Sequence, residues 1–239
     1  MKNILFNILF LCLFMNNISY AGYNVIGVSK NGLLQLDDGT NVKIKNMYVP
    51  SEMHKEYSSY INSIIGSDSV EAVVVDASKD LYNNSIVDDI KAGGGSVYKK
   101  LLSGGYVLNY NIEDIAVDKE IVEAENNARN LQIGLWSRDK QIFLSRAEIE
   151  TNTKNHVNKF KVVKGRVKRV KLVKNNMYIN FADDWKTDFT VKIAKENLGN
   201  FAGYQIEDLV NKEVIVKGWV EYYYGPAIEV YNQSHINIL

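Results

Sequence analysis

Cysteine, proline and histidine are scarce in this chain of 239 residues, which has one, two and three of them respectively. The single cysteine, Cys12, lies in an N-terminal apolar run, so the remainder has no thiol for a disulfide or a zinc cluster. His54, His156 and His235 stand far apart, show no metal-ligand spacing, and each reads as a surface residue. The apolar run itself, residues 4–15, is shorter than the about 20 residues that a membrane-spanning helix needs. Gly93-Gly94-Gly95 lacks the Lys-Ser/Thr pair that completes a phosphate loop, and there is no Gly-x-Ser-x-Gly elbow.

Lys2, the apolar run and the small-residue ending Ser19-Tyr20-Ala21 have the order of a secretory signal peptide over residues 1–21. Export to the periplasm or the exterior is therefore expected, with no membrane anchor once the signal is cut. The remaining composition is that of a globular protein. Net charge is zero overall, but residues 22–153 carry 13 Lys/Arg against 19 Asp/Glu, while residues 159–239 carry 13 against 9. Two unlike halves are expected, a first domain over 22–147 and a second over 159–239. The Asn-rich stretch 148–158, which shows no apolar period, reads as the linker.

In the first half, residues 25–28 and 33–36 read as strands. An Asp37-Asp38-Gly39-Thr40 turn and an alternating strand over 41–47 complete a hairpin signal. A helix is predicted from Ser51 or Glu52 to Ile65, with Tyr57, Tyr60, Ile61 and Ile64 on one face, followed by a strand over 71–75. Strands over 77–82 and 86–92, a helix over 96–103 closed by Gly104-Gly105, and an extended stretch 106–110 come next. Asp118 is a suitable N-cap for a helix to Leu131, with Ile121, Ala124, Ala128 and Leu131 as its apolar stripe.

This order, ending in Glu-Ala-Glu-Asn-Asn-Ala-Arg-Asn-Leu-Gln-Ile-Gly-Leu-Trp over 123–136, resembles the staphylococcal thermonuclease-like family over residues 24–137. Residues 36–51 resemble the family's strand-turn-strand, and Lys79-Asp80-Leu81-Tyr82-Asn83-Asn84 resembles its Asp-x-Tyr-Gly-Arg motif. The resemblance implies an OB-type barrel and Ca²⁺-dependent phosphodiester hydrolysis, with carboxylates on the metal, a Glu to activate water and two Arg forks on the phosphate. Hard Ca²⁺ needs oxygen ligands, and a phosphate gaining charge is best met by bidentate guanidinium. By alignment, the metal carboxylates fall on Gly32 and Tyr48, the first Arg on Lys43, the Glu on Ser51 and the second Arg on Asn84. All five functional side chains are replaced. No metal and no cofactor are expected, and the nuclease site reads as degenerate. Calcium returns only under the alternative of a residual nuclease that recruits Asp37, Asp38, Glu52 or Asp80.

The second half opens with nine cationic side chains, Lys154, Lys159, Lys161, Lys164, Arg166, Lys168, Arg169, Lys171 and Lys174, with no acidic residue between 154 and 174. Interleaved Val162, Val163, Val167, Val170, Leu172 and Val173 make this a twisted, bulged strand rather than a tail. Further strands are predicted over 177–181, 189–193, 214–221 and 227–230, with helical residues over 197–204, an OB-like order.

Tyr178-Ile179-Asn180-Phe181-Ala182-Asp183-Asp184-Trp185 continues as Lys186-Thr187-Asp188-Phe189-Thr190-Val191. The segment resembles a signature of bacterial exported proteins that join a thermonuclease-like domain to a C-terminal OB-like domain. The fold class implied is mainly β with helices (α+β), with two OB-type β-barrels. Lys164, Arg166, Lys168, Arg169 and Lys171 are candidate phosphate contacts, and Tyr178, Trp185, Trp219 and Tyr222-Tyr223-Tyr224 are candidate stacking faces for single-stranded nucleic acid. A plainer possibility keeps Phe181, Phe189 and Trp219 in the core and the lysines as a solvated face. Three functions stay open: a nucleic-acid-binding or scaffold module, a residual nuclease, and an envelope protein-interaction module.

Overall fold

The computed structural model describes residues 24–29, 32–65, 70–73, 79–80, 82–112, 118–137, 142–184 and 187–239. The segment 1–21 that reads as a signal peptide, Trp185 and half of the strand predicted over 77–82 lie outside these residues. The chain is strand-rich α+β, and its ladders run as open sheets.

In the first half, β1 (Val25–Val28), β2 (Leu34–Leu36) and β3 (Asn41–Ile44) form an antiparallel meander. The strand predicted over 41–47 is two: Asn46 takes a positive φ of 59°, turning the chain into β4 (Met47–Tyr48). A 3₁₀ turn, Ser51–Met53, leads into α1 (His54–Ile65), which buries Tyr57 and Ile61 as its periodicity predicts. Then come β5 (Val70–Val73), β6 (Ser85–Val87), β7 (Asp89–Ala92) and β8 (Gly95–Ser96). Strand β6 adds to β3 in parallel, while β5, β7 and β8 make a separate antiparallel sheet.

Helix α2 (Val97–Ser103) starts at the Ser96 cap, whose hydroxyl accepts the Lys99 N–H at 3.0 Å. Strand β9 (Leu108–Asn109) pairs with β4. Helix α3 (Lys119–Leu131) is capped by Asp118, which accepts the Glu120 N–H at 2.8 Å. Its predicted stripe needs correction at one end: Ala124 and Ala128 are buried, but Leu131 is 69% exposed and the buried face gains Glu125 instead. The Gly134-Leu135-Trp136 turn docks on the end of α2, where Leu135 N–H donates to Gly105 O at 2.7 Å. A Cβ on Gly134, at φ 58°, would stand 2.4 Å from that same oxygen, so the approach requires glycine.

The predicted linker contains helix. β10 (Phe143–Ser145) is followed by α4 (Arg146–Thr151) and α5 (Thr153–His156), with a Ser145–Glu148 capping box and Ile149 fully buried. β10 also joins the second sheet, lying parallel to β11 (Phe160–Arg166).

That sheet continues with β12 (Arg169–Val173), β13 (Asn176–Asn180), β14 (Thr190–Ile193), β15 (Glu213–Tyr223), β16 (Gly225–Glu229) and β17 (Ile236–Ile238). The ladder runs β10-β11-β15-β16-β14-β13-β12, with β17 on β15. The helix predicted near 197–204 is two 3₁₀ segments, Lys195–Phe201 and Ile206–Leu209.

Each half has its own core, one around Leu34, Ile44, Tyr57 and Leu101, the other around Val163, Ile179, Phe189 and Ile228. A third cluster holds the halves together: Met53, Leu108, Leu135 and Trp136 meet Phe160, Val162 and Ile215. Val162 and Val163 are therefore buried on opposite faces of β11, one in the seam and one in the second core. The outer face of β11 and β15 is covered by the first half.

Candidate functional site

Each of the five positions that the thermonuclease resemblance marks has contacts of its own within the fold. Gly32 has φ 77°, its carbonyl accepts the Tyr57 hydroxyl at 2.9 Å, and a Cβ there would come 3.1 Å from Val49 Cγ2. Position 32 thus has no room for a metal carboxylate without strain. Tyr48 turns to the other half, stacking on Phe160 with centroids 4.1 Å apart and meeting Trp219 edge-on at 5.9 Å. Burial, with the neighbouring Glu52 carboxylate, pushes its hydroxyl pKa up to about 12.

Ser51 is exposed and its hydroxyl donates to Glu52 Oε2 at 3.0 Å. Glu52 Oε1 in turn lies 3.7 Å from Lys161 Nζ. Lys161 is 6% exposed, and burial pulls its pKa down against the raising effect of Glu52. The carboxylate that sits one residue beyond the expected general base is thus occupied by a cation from the second half.

Lys43 and Asn84 do share a neighbourhood, through Asp80. Asp80 Oδ1 accepts the N–H groups of Tyr82 and Asn84 at 2.9 Å each, and Oδ2 accepts the Asn84 amide at 2.8 Å. These bonds, led by the Asn84 side chain and helped by Lys43, hold the carboxyl below its ordinary range. Asn84 does the work of closing a turn. Among the described residues, no three His, Cys, Asp or Glu side chains gather as a metal group would require.

The basic stretch is dispersed by the fold. Lys164 lies 3.3 Å from Glu213, Lys168 lies 3.6 Å from Asp183, and Arg166 donates to Asn211 O at 2.7 Å. Arg169 and Lys171 sit exposed on β12, at the end of the ladder, and neither meets a carboxylate among the described residues. In register, Lys171 stands opposite Tyr178 on β13, and Tyr178 stands opposite Lys192 on β14. Cross-strand partners share a face, so Lys171, Tyr178 and Lys192 form one outward row, while Val170, Ile179 and Val191 point into the core. Lys192 is held by Glu229 at 2.7 Å, which raises its pKa.

One sequence expectation fails here, that of His235, and the two faces of the basic strand prove unequal. Trp219, left open between a stacking face and the core, is 47% exposed beside Tyr48. Leu172 and Val173 are 59% and 40% exposed, because the second part of the basic strand is an edge with no layer over it. His235, read as a surface residue, is fully buried, with its ring stacked on Tyr110 at 4.3 Å. Burial and the nearby Lys217 charge lower its pKa to about 3. Sequence reasoning also missed Lys217 itself, 1% exposed, whose Nζ lies 2.5 Å from Glu125 Oε2. A lysine flanked by Val and Gly inside an apolar strand was the available signal. Neither a family model nor a curated protein matches this chain.

Proposed function

We propose that the chain is an exported thermonuclease-like protein with an inactive nuclease site, whose second half binds single-stranded nucleic acid. Two OB-type barrels are part of this reading. In support, the second-half ladder runs β12-β13-β14-β16-β15-β11, with β14 and β16 parallel, and β11 and β12 are one chain segment interrupted only at Val167 and Lys168. An OB barrel has that strand order, its first strand bending to serve both edges.

The observation that carries the binding reading is the outward row Lys171–Tyr178–Lys192, with Arg169 beside it on β12. A ring flanked by cations offers a base a stacking face and the backbone a counter-charge. The first half acts as a scaffold: its family positions are committed to Val49, Tyr57, Phe160 and Asp80 rather than to a metal.

Fluorescence anisotropy with a labelled single-stranded oligonucleotide tests the reading. Saturable, salt-sensitive binding that the Arg169→Ala/Lys171→Ala variant loses supports it. Binding untouched by that variant refutes the assignment to this face.

A further inference from the structure

Tyr222 and Tyr223 end β15 and Tyr224 follows in the bend before β16, with 64%, 54% and 60% of their surfaces exposed. Three consecutive large rings left in water have no role in either core. Tyr224 also takes a positive φ of 64°, a conformation that a bulky side chain rarely adopts. Gly225 follows because a Cβ there would come 2.7 Å from Asp188 O. Tyr222 stands opposite Pro226 across the hairpin, which reaches beyond the sheet towards α4 and α5.

Between the hairpin tip and those helices lies an open groove of about 480 Å³. One wall is Tyr222, Tyr224 and Pro226; the other is the 150–155 segment, including Asn152 and Asn155. The lining carries two charged side chains, Lys154 and Glu150, and Glu150 Oε1 is already taken by the Phe189 N–H at 2.8 Å and by Arg146. The hydroxyls of Thr151 and Thr153 both donate to backbone carbonyls of α4, Ala147 O and Ile149 O. Apolar ring faces and two carboxamides therefore define the groove's chemistry. A carboxamide both donates and accepts hydrogen bonds.

A polyanion would need a row of cations, and the lining offers Lys154 alone. A proline-rich peptide offers carbonyl acceptors but few donors, leaving the carboxamide oxygens unanswered. A sugar ring has an apolar C–H face and a rim of hydroxyls that both donate and accept. We infer that this groove binds a neutral saccharide, with Tyr222 and Tyr224 packing on ring faces and Asn152 and Asn155 meeting hydroxyl or acetamido groups. The site is separate from the Lys171–Tyr178–Lys192 row and does not depend on the nucleic-acid reading.

The test is titration calorimetry of the protein with chitohexaose and with maltohexaose, at low and high salt, alongside Tyr222→Ala, Tyr224→Gly and Asn155→Ala variants. Circular dichroism checks that each variant keeps its fold; Tyr224→Gly also relieves the left-handed backbone, so it should melt no lower than the parent chain. Binding of at least one oligosaccharide, indifferent to salt and weakened about tenfold or more by each tyrosine variant, is expected. Absence of binding to both sugars, or binding that the folded variants leave unchanged, would overturn the inference. So would displacement of bound sugar by a labelled oligonucleotide in a salt-sensitive manner, or by a proline-rich peptide.

Discussion

Lys217 Nζ and Glu125 Oε2 lie 2.5 Å apart, 92 residues apart in the chain, with side chains only 1% and 6% exposed. Glu125 comes from α3 and Lys217 from β15, so the pair crosses the seam between the halves. The other carboxylate oxygen of Glu125 accepts the Asn109 N–H at 2.9 Å. Removing one member leaves a buried charge unanswered, which costs about 3–5 kcal/mol. Lys217→Met alone should therefore lower stability by about that much in urea unfolding. Lys217→Met combined with Glu125→Gln should recover a large part of it, because glutamine keeps an acceptor for Asn109. Equal stability of Lys217→Met and the unaltered chain would contradict this account of the seam.

His235 sets a pH dependence of definite sign. Its pKa is depressed from the ordinary about 6.5 to about 3. Above that ordinary value both folded and unfolded chains hold a neutral imidazole, and the group contributes no slope. As pH falls through the interval, only the unfolded chain takes up the proton, so stability is lost on acidification at up to about 1.4 kcal/mol per pH unit. His235→Phe, which retains a ring for Tyr110, should flatten the fall between about pH 6 and pH 4. Unfolding free energies of the two proteins across that range check the prediction.

Gly134 and Gly105 allow two backbones to touch where no side chain fits. Gly134→Ala places a methyl 2.4 Å from Gly105 O and at a left-handed φ. It should cost more than about 1 kcal/mol, seen as a lower melting temperature, while Gly39→Ala, with open space around it, should cost only the conformational penalty.

Much of this was legible in the sequence because local chemistry decided it. Asp118 and the Asp37-Asp38-Gly39 turn act where they were expected, since caps and turns depend on near neighbours. What sequence hid was the seam. Val162 and Val163 are buried in different clusters, and Lys161 and Lys217 are lysines in an interior, because the outer face of β11 and β15 is covered by the first half. A period of two identifies a strand with one wet face; a strand covered on both sides erases it. Tyr48 and Trp219 follow the same logic: one stands where a carboxylate was expected, the other was left open between a stacking face and the core, and they meet edge-on at the seam.

Placing carboxylates at the two positions that the thermonuclease resemblance marks for a metal should not create a site. Gly32→Asp must accept φ 77° and crowd Val49, and Tyr48→Asp removes the ring that stacks on Phe160. The double variant should melt lower than the parent chain and should gain no thermal stabilisation from millimolar Ca²⁺. A Ca²⁺-dependent rise in its melting temperature would show that the scaffold still holds a cation-ready geometry.

The central claim is that the chain binds single-stranded nucleic acid without cutting it. The direct measurement incubates residues 22–239 with labelled single-stranded DNA and RNA, in Ca²⁺ or in EDTA, and follows both retardation and fragment length. Intact strands, retarded equally with either addition and released by salt or by Arg169→Ala/Lys171→Ala, are the predicted result. Fragments that appear in Ca²⁺ and vanish in EDTA would contradict it, and so would the absence of any retardation.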